Sequence, residues 1–153
     1  MTLKEIVERA EEDESVQAHK KDGFYLSSII AFADDLENVS KWTLAYFHPD
    51  TKKVFSVTLN GDIEISEKSD PLVKDHYSEL DLTKCKSFED LMQVVRSKVL
   101  EGDFKPIKAV VAIRGDTLNA AVFTQGMKVV RLDVGLSDAK ILQFDISNLL
   151  KTA

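Results

Sequence analysis

The sequence predicts an α+β fold built as two tandem α-β-β-β(-β) repeats, an antiparallel sheet with helices packed on one face. Three observations predict it. Two stretches read as amphipathic helices opened by the same capping pattern, and each is followed by short segments with two-residue hydrophobic alternation. The second set then repeats the first in the same order.

The helix starts are Thr2-Leu3-Lys4-Glu5 and Ser87-Phe88-Glu89-Asp90. Each places a hydroxyl residue three positions ahead of an acid, a pattern that satisfies free amides in a first turn. Apolar residues follow at helical spacing: Leu3, Ile6, Val7 and Ala10 in the first, Phe88, Leu91, Met92, Val95 and Val99 in the second. The second helix is expected to stop at Gly102 in a left-handed cap. The first runs into Glu11-Glu12-Asp13-Glu14, which reads as the solvated face of a fraying helix or, more sharply, as a docking tail for a basic partner.

The strands match in order. Ile30-Ala31-Phe32 answers Val111-Ala112-Ile113, and Trp42 to Phe47 answers Leu118 to Phe123. Lys53 to Val57 answers Lys128 to Leu132, and Glu79 to Thr83 answers Gln143 to Ser147. Phe55, Val57 and Leu59 alternate with Val54, Ser56 and Thr58, as in a sheet covered on one face. The turns agree: His48-Pro49-Asp50-Thr51, Asn60-Gly61 and Gln125-Gly126 are all turn-forming sequences. Ser66 to His76 reads as an insertion within the first copy. The boundary falls near Lys86, giving residues 1–86 and 87–153 as the two repeats of one compact unit.

Composition narrows the function. The chain has 153 residues, 44% hydrophobic and 30% charged, and a net charge of −6. Its lysines and arginines are scattered rather than gathered into a phosphate-binding patch, so no nucleic acid is expected. No apolar run nears the ~20 residues that span a bilayer, so no membrane is expected either. The start lacks a basic segment leading into an apolar stretch, and Cys85 has no second cysteine to pair with, both of which suggest a cytoplasmic protein.

Candidate chemistry is sparse. His19, His48 and His76 lack ligand spacing, so no metal is expected, and they read as exposed turn and loop residues. Lys84 and Lys86 flank Cys85 just before a helix N-terminus, a setting that lowers a thiol pKa. Arg114-Gly115-Asp116 and Asp34-Asp35 read as turns between strands. With no nucleophile elbow and no phosphate-binding or dinucleotide-binding glycine pattern, neither catalytic residues nor a cofactor are assigned.

Trp42, Tyr46, Phe47 and Phe55 could line a ligand pocket, but at alternating strand positions core packing under the helix is expected. Phe47 and Phe123 stand at equivalent positions on the face opposite Trp42 and Leu118, and they are the candidate interface. The uncharged stretch from Val54 to Leu59 is the candidate strand edge beside them.

The string from Lys41 to Ile65, KWTLAYFHPDTKKVFSVTLNGDIEI, resembles the strand portion of PepSY-type modules, small helix-plus-sheet units related in shape to the cystatin fold. The resemblance implies a binding or peptidase-regulating role rather than catalysis. The functional reading is therefore a non-catalytic protein- or peptide-binding scaffold acting as a homodimer. The alternative is a small-molecule-binding protein or enzyme with a cleft between helix and sheet. A filled helix–sheet gap favours the scaffold, whereas a polar pocket with two convergent titratable groups favours the enzyme.

Overall fold

The computed structural model describes residues 2–71 and 77–148, and its fold is α+β. The described residues form α1 (Leu3–Glu11), α2 (Glu14–Asp22), β1 (Tyr25–Ala33), β2 (Val39–Phe47), β3 (Val54–Asn60) and β4 (Asp62–Ile65). After a long connection come α3 (Phe88–Glu101), β5 (Pro106–Arg114), β6 (Thr117–Thr124), β7 (Lys128–Gly135) and β8 (Ile141–Asn148). All eight strands lie in one open antiparallel sheet of order β4-β3-β2-β1-β5-β6-β7-β8. The order mirrors itself about the β1–β5 pair.

The capping signals act as read. Thr2 Oγ1 accepts the Glu5 amide at 3.1 Å, and Ser87 Oγ accepts that of Asp90 at 3.1 Å. The acid run does not fray. Asp13 Oδ1 accepts the Ser15 and Val16 amides and starts a second helix that the sequence reading did not anticipate. Glu11 accepts from the Tyr46 hydroxyl at 3.0 Å and pairs with Lys20 at 2.5 Å. Two of the four acids of the supposed docking tail thus hold the fold together. Gly102 caps α3 with φ −83° rather than left-handed, and the following Asp103 takes the positive φ of 60°. A Cβ at 102 would lie 2.5 Å from the Phe104 ring, so a larger residue there would have to push that half-buried ring aside.

One face of the sheet is buried. A row of paired residues crosses it through Val57, Leu44, Ile29, Ile113, Leu118 and Val134, and all six are fully buried. Each helix meets this face. The Tyr46 hydroxyl reaches Glu11 of α1, the His19 ring of α2 lies 4.6 Å from Phe55, and Phe88 of α3 lies 5.1 Å from Trp42. Leu91, Met92, Val95 and Val99 of α3 join the same core. Arg96, only 8% exposed, ties α3 to the β1–β2 turn. Its Nη1 donates to the Leu36 carbonyl at 3.0 Å while the rest of the guanidinium meets Glu89, Gln93 and Glu37.

Three sequence expectations are corrected. Glu79 to Thr83 is not a strand: Leu80 is buried and donates its amide to the Leu26 carbonyl, and the strand after the Asn60-Gly61 hairpin is β4 instead. The Val54–Leu59 stretch is not an edge, because β3 lies between β2 and β4; the edges are β4 and β8. Ile30 does not correspond to Val111, since Ile30 lies on the open face and Val111 on the buried one. Ile29 is the face-preserving match, because a slip of one residue in a strand turns every side chain over. His76 and most of the predicted insertion after Pro71 lie outside the described residues.

The second and third strands of the two arms carry matching pairs. Trp42 opposite Leu59 corresponds to Leu118 opposite Val134, and Phe47 opposite Val54 corresponds to Phe123 opposite Val129. Even the left-handed residues ahead of the third strands, Lys52 and Met127, occupy equivalent places.

The packing sets an expected outcome. Leu91→Ala removes a fully buried side chain and should cost about 2–5 kcal/mol in urea unfolding. Leu100→Ala, on the 64% exposed side of the same helix, should cost less than about 0.5 kcal/mol. Equal losses would show that the buried face of α3 is misassigned.

Candidate functional site

Among the described residues the helix–sheet gap is filled beside its central strands. Leu44, Ile29 and Ile113 are fully buried there, and Tyr46 stacks on Phe55 with ring centroids 4.9 Å apart. Burial and then the charge of Glu11 push the Tyr46 hydroxyl far above its usual range, so it stays protonated and donates. Two other surfaces are open to solvent.

The first is a groove of about 590 Å³ on the open face. One transverse row of the sheet forms its floor: Ser56 pairs with Ala45, Ala45 with Ser28, and Ser28 with Arg114. Small side chains at consecutive cross-strand positions leave a channel there. Val54 and Ile30 border it, and the segment around Ser66 and Ser69 rises along one side, held by a 2.8 Å bond from the Ser56 amide to Ser66 Oγ and by the Val54–Ser69 bridge.

The second surface is the edge strand β8. Its apolar residues are all exposed: Ile141 41%, Leu142 62%, Phe144 40% and Ile146 41%. Phe144 and Ile146 pair with Leu132 and Val130, so they stand on the helix-bearing face just beyond the cover that α3 provides. The Lys98 ammonium lies over Phe144, 4.9 Å from the ring. Among the described residues nothing pairs with the outer edge of β8. The opposite edge differs: β4 has four residues, and two of them are Asp62 and Glu64.

The candidate interface residues fare unequally. Phe47 is buried, stacked on Tyr77 at 4.8 Å and edged by Tyr25 at 5.9 Å, so its own chain covers it. The equivalent Phe123 is half-buried beneath the Lys108 ammonium at 5.1 Å. The structure therefore does not place the two in one patch.

His48 is buried rather than exposed. Nδ1 accepts the Asp50 and Thr51 amides at 3.2 and 3.1 Å, and Nε2–H donates to the Asp22 carbonyl at 2.8 Å. Gly23 must be glycine to let this ring in, having a φ of 116° and a Cβ position 2.9 Å from His48 Nε2. Arg114-Gly115-Asp116 forms the β5–β6 turn, and Asp35 accepts two amides in the β1–β2 turn.

Cys85 lines a small recess with Leu3, Leu82 and Phe88 near the starts of α1 and α3. Burial pushes its thiol up, opposite to the effect expected from the flanking lysines. Among the described residues no group of three or more histidine, cysteine or acidic side chains could hold a metal ion. No helix there is long and apolar enough to cross a membrane.

Nothing in the sequence pointed to β8 as the exposed edge, because its burial depends on how far a distant helix reaches. The transverse row was equally hidden, since it needs the register of four strands.

No family model and no curated protein matches the chain. Among solved structures, a "putative lipoprotein" from Clostridium difficile 630 is similar, with a TM-score of 0.57 over 87% of this chain and 89% of that one at 10% identity. That likeness shows a shared α+β fold. Membership of a PepSY-type or cystatin-type family is not shown.

The raised thiol has a measurable consequence. The thiolate is the reactive form, so Cys85 should react with iodoacetamide at pH 8 more slowly than a cysteine in an unstructured peptide. Unfolding in urea should remove the difference. A folded-state rate equal to or above the peptide's would show that the lysines outweigh burial.

Proposed function

We propose that this chain is a non-catalytic protein- or peptide-binding module that forms a homodimer, and that the contact is made by strand addition at β8. One observation carries the reading: an eight-residue edge strand presenting four exposed large apolar side chains and unpaired backbone groups. Such an edge is a template for another strand, and burying its apolar side chains supplies the driving force. The single charge on β8, Asp145, lies on the open face opposite Arg131 and leaves the strip itself uncharged.

A two-fold pairing of β8 with β8 of a second copy would run Ile141, Phe144 and Ile146 of both into one apolar surface. Phe47 is excluded from this contact by its cover of Tyr77. The matching cross-strand pairs in the two arms support an internal duplication, with one edge blunted by acids and the other left open. The free thiol at Cys85 fits a reducing, cytoplasmic setting.

Sedimentation equilibrium at micromolar concentration tests the proposal. Wild-type chain should sediment at twice the 17.2 kDa of the monomer. Phe144→Lys and Leu142→Lys should each return it to monomer with an unchanged circular dichroism spectrum, whereas Phe123→Lys should leave the dimer intact. A wild-type monomer, or a dimer indifferent to both β8 substitutions, would overturn the reading.

A further inference from the structure

The open-face groove carries an inference independent of strand pairing at β8. Its floor is the row Ser56, Ala45, Ser28 and Arg114, one residue from each of four adjacent strands. Three strand spacings make that row about 14 Å long. Its volume of about 590 Å³ falls within the range of small-molecule sites, roughly 300–1,000 Å³.

Two polar groups line the groove with no side-chain partner among the described residues. Arg114 closes one end of the row, is exposed, and among the described residues has no ion pair or side-chain hydrogen bond. Ser27, at the irregularity between Leu26 and Ser28, also lines the groove. It is only 5% exposed, and among the described residues its hydroxyl has no hydrogen-bond partner. Since no side-chain polar atom among the described residues is both buried and unpartnered, this hydroxyl still faces the groove's solvent and is free to hydrogen-bond a ligand there.

We propose that this groove binds a small organic carboxylate, with its carboxyl group on the Arg114 guanidinium and its uncharged body across Ser28, Ala45 and Ser56. The planar fork of a guanidinium matches a carboxylate with two parallel hydrogen bonds. A single arginine balances one negative charge. The nearby Lys53 adds none, because Asp70 holds its ammonium at 2.6 Å. A phosphate dianion would therefore sit undercompensated beside the Asp70 carboxylate. The body should be largely apolar with an occasional hydrogen-bonding group, since Ile30, Ala45 and Val54 alternate with serine hydroxyls along the channel.

Amide chemical shifts of the whole chain, titrated with 4-phenylbutyrate at millimolar concentration, test this. The amides of Ser27, Ser28, Ala45, Ser56 and Arg114 should shift saturably. The neutral 4-phenylbutyramide should bind about tenfold or more weakly, the difference expected for losing a charge-assisted pair. Arg114→Gln should weaken the acid by the same factor and leave the amide unchanged, and Ala45→Leu should block both while preserving spectral dispersion. Inorganic phosphate should give no saturable shift. The proposal is overturned if neither compound saturates, if acid and amide bind alike, if Arg114→Gln has no effect on the acid, or if phosphate binds as well.

Discussion

The architecture depends on the pairing of β1 with β5. Six residue pairs, from Ser28 opposite Arg114 to Ala33 opposite Ala109, join what would otherwise be two separate four-stranded sheets. The partners lie far apart in sequence, so closing that loop costs chain entropy before any contact repays it. Repayment comes from the buried face, where Ile29 and Ala31 meet Ile113 and Val111 beneath the helices. Neither arm could complete this centre alone, since each would expose its first strand as an apolar edge. Arg96 adds a polar clamp at the same place by holding α3 to the carbonyl of Leu36 in the turn after β1.

Covering only one face of an eight-stranded sheet divides the molecule by task. The helix-bearing face is packed by large aliphatic and aromatic groups and has little freedom to change. The open face carries serine, threonine, alanine, charged side chains and isolated apolar ones, most of them partly accessible, with Phe47 and Val129 buried among them. Because its backbone is fixed by the ladder beneath, positions there can vary without unsettling the core.

Local signals in the sequence were accurate where the physics is local. Both capping hydroxyls, the Asn60-Gly61 hairpin and the alternation of Phe55, Val57 and Leu59 describe interactions spanning a few residues, and each appears in the structure. The Gly102 cap and the Asp13 N-cap were misread locally, but the other failures share a cause. Glu79 to Thr83 has the alternation of a strand, yet the buried Leu80 is satisfied by a single amide bond to Leu26 and no ladder follows. His48 looked like an exposed turn residue because its partner, the Asp22 carbonyl, is brought to it only by folding. The mismatch of Ile30 with Val111 came from aligning apolar character without face, which a central strand with apolar residues on both sides does not reveal. For the candidate sites, residue types were readable, but the exposure of β8 and the row ending at Arg114 are properties of register and helix reach.

The contrast between the two margins of the sheet bears on stoichiometry. β4 is short and carries Asp62 and Glu64, while β8 is long and apolar. A body with adhesive margins on both sides can add units without limit and grow into a fibre, as an open head-to-tail contact does. A body with one such margin exhausts it in a single union. On the proposed strand addition at β8, the two acids of β4 would act as a terminator, because like charges on that short margin disfavour a second strand pairing there.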